Sequence, residues 1–81
     1  MKWAHTRRSE RDYRAAPPEV QRAFDKQVRL LAQNLRNPSL HAKKYDEATD
    51  LRQVRVSRNW RFHFLIQGDT YLIVTIIPHP K

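Results

Sequence analysis

The chain has 81 residues, 40% of them hydrophobic, enough for one domain over residues 1–81 in which a single sheet lies under one or two helices. No cysteine and one glycine exclude a disulfide scaffold and a cysteine-type zinc site. No apolar run approaches the roughly 18 residues of a membrane span, and the polar, charged N-terminus is unlike a signal peptide; a cytoplasmic protein with no membrane partner is expected. Sixteen Lys and Arg against eight Asp and Glu give a net charge of +8 and a pI near 10.6, which points to a polyanionic partner, nucleic acid or an acidic protein.

Lys2 to Thr6 reads as a short first strand, with Trp3 and His5 on one side and Ala4 and Thr6 on the other. Ser9-Glu10-Arg11-Asp12 has the form of a capping box and starts a short helix, which Ala16-Pro17-Pro18 breaks. Pro18 suits the first turn of a second helix. Val20, Ala23, Phe24, Val28, Leu31, Ala32 and Leu35 recur along it at helical spacing and form a core-facing stripe, with Arg22, Lys26, Arg29 and Arg36 off it. Asn37-Pro38 ends the helix, and Pro38 to Thr49 reads as an irregular loop.

From Asp50 onward, three strands follow one another. Val54 and Val56 alternate with Gln53 and Arg55; Trp60, Phe62, Phe64 and Ile66 alternate with Arg61, His63, Leu65 and Gln67; Tyr71 to Ile77 is apolar and rich in β-branched residues. Gly68-Asp69 is a two-residue hairpin loop that pairs Ile66 with Tyr71, Phe64 with Ile73 and Phe62 with Thr75. A two-residue loop at Arg58-Asn59 would set Val56 against Arg61 and mix the faces. An odd loop, Arg58-Asn59-Trp60, pairs Val56 with Phe62, Val54 with Phe64 and Arg55 with His63, and is expected on that ground. One face is then aromatic and aliphatic. The other carries Arg55, Arg61 and His63, with Leu65, Leu72, Val74 and Ile76 beside them. The order β-α-α-β-β-β predicts an α+β domain, an antiparallel sheet with both helices on one face.

Two features of this arrangement have chemical potential. Arg55 and Arg61, on adjacent strands, suit phosphate, since the guanidinium fork is rigid and permanently charged; ordinary solvent-facing sheet residues are the other reading. His79 stands between Pro78 and Pro80 after the last strand, where an imidazole can move a proton in RNA cleavage; by spacing alone it also fits a frayed basic tail. Histidines 5, 41, 63 and 79 have no metal-ligand spacing, so neither a metal nor another cofactor is expected. Glu47 is a carboxylate in the loop, available as a base or simply solvated.

The order of elements, the PPEV-type helix start, the NPSLHAKKY linker, the segment RVSRNWRFHF and the histidine after the last strand together resemble the RelE/ParE toxin superfamily of toxin–antitoxin systems. The resemblance spans nearly the whole chain, and its specificity lies in the order of short motifs. For the RelE branch it implies an mRNA interferase. Such an endoribonuclease binds in the ribosomal A site, cuts mRNA by attack of the 2′-hydroxyl without a metal, and inhibits translation. Carried over, Arg61 stabilises charge on the scissile phosphate, Arg55 orients it, and His79 is the general acid or base. Lys43, Lys44, His41, Arg58 and Lys81 would contact RNA. The chain departs from that branch in having no tyrosine beside His79. The ParE branch would instead imply a DNA gyrase inhibitor without nuclease residues, and a toxin that only binds its antitoxin is a third reading. Either branch implies a cognate antitoxin whose acidic segment covers the basic surface.

Overall fold

A computed structural model describes residues 1–79. In chain order the elements are strand β1 (Lys2–His5), helices α1 (Arg7–Ala15) and α2 (Pro18–Gln33), a 3₁₀ turn (Pro38–Leu40), and strands β2 (Lys43–Asp46), β3 (Leu51–Ser57), β4 (Trp60–Gln67) and β5 (Thr70–Pro78). The five strands form one sheet in the order β1-β5-β4-β3-β2. The α+β class and the two helices on one face are as the sequence predicts. The sheet, however, is mixed: β1 joins β5 in parallel, while the other pairings are antiparallel.

The core lies between the helices and one sheet face. Phe24, Leu31, Phe62, Phe64, Leu40, Ile73 and Val54 are fully buried there. Phe24 is the hub: its ring packs on Phe62 at 5.1 Å, on Tyr13 and His5 at 5.6 Å, and on Trp3 at 5.9 Å. The His5 ring is stacked on Phe24 and the other three meet it edge to face; aromatic pairs in these geometries add about 0.5–1.5 kcal/mol each beyond burial.

Helix α1 begins before the position the sequence suggests. Thr6 is its N-cap; the Thr6 hydroxyl accepts from the Ser9 backbone N–H, and the Ser9 hydroxyl accepts from the Thr6 N–H, both at 3.1 Å. The capping box is therefore Thr6/Ser9, with Ser9 as its third helical residue. Helix α2 starts at Pro18 as expected and stops at Gln33, short of Asn37-Pro38. The Pro38–Thr49 segment is not wholly irregular. Leu40 plugs the core from the 3₁₀ turn, and Lys43–Asp46 adds an edge strand.

Two bulges set the register of β3–β4 and β4–β5, and both depart from the simple alternation. In β3–β4, Arg55 pairs with Arg61 and Ser57 with Trp60, leaving Val56 as the extra residue. The turn is thus the two-residue Arg58-Asn59. The expected mixing of faces does not arise because the bulge absorbs it. Val54 pairs with Phe62 and Gln53 with His63, so the expected pairs Val56–Phe62, Val54–Phe64 and Arg55–His63 are each displaced. In β4–β5 the Gly68-Asp69 loop, with Gly68 at φ 61°, gives Ile66–Tyr71 and Phe64–Ile73 as expected. Val74 is then the extra residue, so Phe62 meets Ile76 and His63 meets Thr75. Ile76 consequently belongs to the core, and Thr75 and Ile77 belong to the opposite face.

Candidate functional site

The face of the sheet away from the helices carries two cross-strand rows. One runs Lys43–Gln53–His63–Thr75 and the next runs Arg55–Arg61–Ile77. A cleft of about 420 Å3 opens on these rows, lined by His41, Ala42, Lys43, Gln53, Arg55, Arg61 and His79. Five residues singled out from sequence, His41, Lys43, Arg55, Arg61 and His79, thus come together, although strands and loops far apart in the chain supply them.

Each is positioned by a local cause. Arg61 is 9% exposed, and its Nη1 donates to the Ser57 carbonyl at 2.7 Å and the Trp60 carbonyl at 2.8 Å, with Arg58 O at 3.4 Å. The β3–β4 turn therefore grips one edge of the guanidinium. Its Nε and Nη2 have no acceptor among the described residues. Burial, and secondarily the like charge of Arg55 directly opposite, pull the Arg61 proton affinity below the usual guanidinium level. It keeps its proton at neutral pH nonetheless.

Arg55 is exposed on its own strand, with its Nη1 3.5 Å from His41 Nε2. His41 adopts φ 48°, ψ 41°, the left-handed C-cap of the 3₁₀ turn, a conformation uncommon outside glycine. Gln27, buried on α2, ties the strand of Arg55 to the 3₁₀ turn that precedes His41: its Nε2 donates to Arg55 O at 2.8 Å and Ser39 O at 3.0 Å. His79 is exposed, but its backbone N–H donates to Asn59 O at 2.6 Å, which extends the β5 pairing past Pro78. It is anchored to the same turn that holds Arg61.

Other residues expected to bind RNA lie apart from the cleft. Lys44 points its ammonium at Asp50 (3.3 Å) and Glu47 (3.5 Å), and these carboxylates raise its pKa. Glu47 is accordingly an ion-pair partner. Arg58 occupies the exposed turn and contributes its carbonyl to Arg61. Lys81 lies outside the described residues. No group of three or more His, Asp and Glu suited to hold a metal occurs among the described residues. No helix among them is long and apolar enough to cross a membrane.

Gln53, His63 and Tyr45 belong to the site without having been singled out as functional from sequence. His63 Nε2–H donates to Gln53 Oε1 at 3.3 Å, and the Tyr45 ring lies 4.3 Å from the His63 ring. Burial lowers the His63 pKa, so this ring is neutral at pH 7. Gln53 was readable in principle, since it alternates in phase with Arg55. Tyr45 was not, because the strand carrying it was not visible.

The geometry defines a small α+β domain with a basic, imidazole-bearing cleft on its open sheet face. Comparison with solved structures identifies the fold. The YoeB/ParE toxin from Agrobacterium tumefaciens matches with a TM-score of 0.79 at 14% identity, over 99% of this chain and 100% of that one. The intact E. coli RelBE toxin–antitoxin complex matches at 0.76 and 11% identity, over 99% and 96%. The RelB–RelE antitoxin–toxin complex from Methanococcus jannaschii matches at 0.70 and 16% identity, over 96% and 89%. No protein-family model and no curated protein sequence matches the chain. The chain shares the fold of these toxins.

Proposed function

We propose that this protein is the toxin of a toxin–antitoxin pair and that it cuts mRNA on the translating ribosome. The observation that carries the reading is the Arg55–Arg61 pair. Like charges directly opposite on a ladder destabilise a sheet, and a half-engaged guanidinium is costly to bury. An anion between the two offsets both costs. Two imidazoles, His41 and His79, and the Lys43 ammonium line the same cleft. A phosphodiester with an adjacent 2′-hydroxyl fits that set of groups.

In this reading the 2′-oxygen attacks phosphorus in line, the P–O5′ bond breaks, and the ends are a 2′,3′-cyclic phosphate and a 5′-hydroxyl. A base must take the 2′-proton and an acid must supply one to the 5′-oxygen. His79 and His41 fill these two roles. Arg61, through Nε and Nη2, and Arg55 hold the non-bridging oxygens as charge builds. RelE in the neighbouring structures is bound to RelB, its antitoxin. By that likeness a cognate antitoxin with an acidic segment would cover this cleft, which the +8 charge favours.

Primer extension on mRNA in translating ribosomes, with naked mRNA alongside, tests the reading. New cuts on the ribosome are expected, reduced about 10²–10⁴-fold by His79→Ala. Undiminished cutting by both Arg61→Ala and His79→Ala would falsify the assigned mechanism. An absence of cuts from folded protein would sink the endonuclease itself, and a supercoiling assay would then test gyrase inhibition.

A further inference from the structure

A second, smaller cavity of about 100 Å3 adjoins the main cleft. It shares Gln53, Arg61 and His79 with that cleft and is walled elsewhere by Tyr45, His63, Ile77 and Pro78. We propose that this cavity is the subsite for one unstacked base of single-stranded RNA, belonging to a nucleotide that flanks the phosphate held by Arg55 and Arg61. The proposal rests on the endonuclease reading above.

Four observations carry it. The first is an aromatic wall. Tyr45 stands on an edge strand, 59% exposed, with its ring against His63. It is the extra residue of a bulge, since Lys44 pairs with Arg52 and Asp46 with Leu51. Bulges re-aim side chains and recur beside active sites. An aromatic ring left in water on the rim of a basic cleft is the stacking platform that RNA readers use for splayed-out bases.

The second is the opposite wall, where Ile77 and Pro78 are apolar. The β5 bulge turns Ile77 outward: without the extra residue Val74, its side chain would enter the core. The third is a polar group of fixed sense. The Gln53 Oε1 is taken by His63, and its amide nitrogen has no acceptor among the described residues. Gln53 therefore has its amide N–H free to donate, matched to a base carbonyl or ring nitrogen. The buried, neutral His63 below it adds no charge.

The fourth is size and connection. The volume is about that of three waters, room for one flat ring. The two cavities meet at Arg61 and His79, as a phosphate and a base meet through one ribose.

An NMR titration tests this, since it reads affinities into the millimolar range without a ribosome. The probes are a trinucleotide RNA, 2′-O-methylated to prevent cleavage, and three versions each lacking one base. Loss of one particular base is expected to weaken binding about 5- to 100-fold. The His63 ring signals should shift only with probes that retain that base. Tyr45→Ala should erase the difference, and Tyr45→Phe should keep it. Equal affinity for all four probes overturns the subsite and leaves phosphate binding standing. A base preference that survives Tyr45→Ala does the same. No binding of any probe overturns the subsite together with RNA recognition, which the primer-extension result judges independently.

Discussion

Because Nη1 of Arg61 is spent on the carbonyls of Ser57 and Trp60, its capacity to hold phosphate lies in Nε and Nη2. A lysine has one nitrogen and cannot grip the turn and an anion on separate edges. Arg61→Lys is therefore expected to keep the fold, by circular dichroism, and to lower cleavage about 10²–10³-fold in single-turnover assays. Near-native cleavage would mean that charge alone suffices. Thr75 is the opposite case, a residue whose polarity the fold does not use. Its Oγ1 is buried with no hydrogen-bond partner among the described residues. Replacing an unsatisfied hydroxyl by a methyl removes a desolvation penalty. Thr75→Val should stabilise the fold by roughly 1 kcal/mol, read as a higher urea midpoint at unchanged slope. A lower midpoint would show that the hydroxyl has a partner in solution.

The bulge in β5 decides which side chains reach the cleft, and α1 is what holds it. Thr6 Oγ1 donates to Val74 O at 3.1 Å, and Asp12 Oδ2 accepts from Ile76 N–H at 3.1 Å. Thus the carbonyl and amide that the bulge frees from the ladder are both satisfied by one helix. Asp12→Ala would strand the Ile76 N–H, at a cost of about 1.5–3 kcal/mol for a charge-assisted bond. Urea unfolding checks this, and a loss well under 0.5 kcal/mol would mean that water replaces the carboxylate. These bulges are why sequence register failed beyond Phe64 and around Val56. Alternation is a local signal, whereas the β5 bulge is held by Thr6 and Asp12, residues 68 and 64 positions from their partners in the chain. The edge strand was hidden for a different reason. Every residue of Lys43–Asp46 is exposed, so it has no apolar period to read. The α2 stripe and the aromatic face were legible because burial imposes a period on each; that Arg55 and Arg61 share a face on adjacent strands was legible from the same alternation, but that they stand directly opposite was not, since the bulge at Val56 sets that pairing.

At the scale of the whole molecule, the sheet has a histidine shielded from water on each side, half-buried in the case of His5 and buried in that of His63. His5 lies among Phe24, Trp3 and Tyr13 on the helix side, and His63 lies under Tyr45 on the cleft side. Burial lowers both pKa values below 6.5; for His5 it outweighs the pull of Glu10 and Asp25. Well above pH 6.5 both rings are neutral, folded or unfolded, and their contribution to stability is complete. As pH falls below that value the unfolded chain takes up protons that the folded chain resists. Stability is therefore lost with falling pH, until the folded rings also titrate. Urea midpoints at pH 7.5 and 5.5 measure this, and the wild-type midpoint should be lower at pH 5.5. His5→Asn with His63→Gln removes both imidazoles and should flatten that drop. A wild-type midpoint that stays level or rises on acidification would mean that each ring finds a proton acceptor in solution, and the lowered pKa values would then be wrong. This test is independent of RNA, so it separates the stability of the scaffold from the chemistry of its cleft.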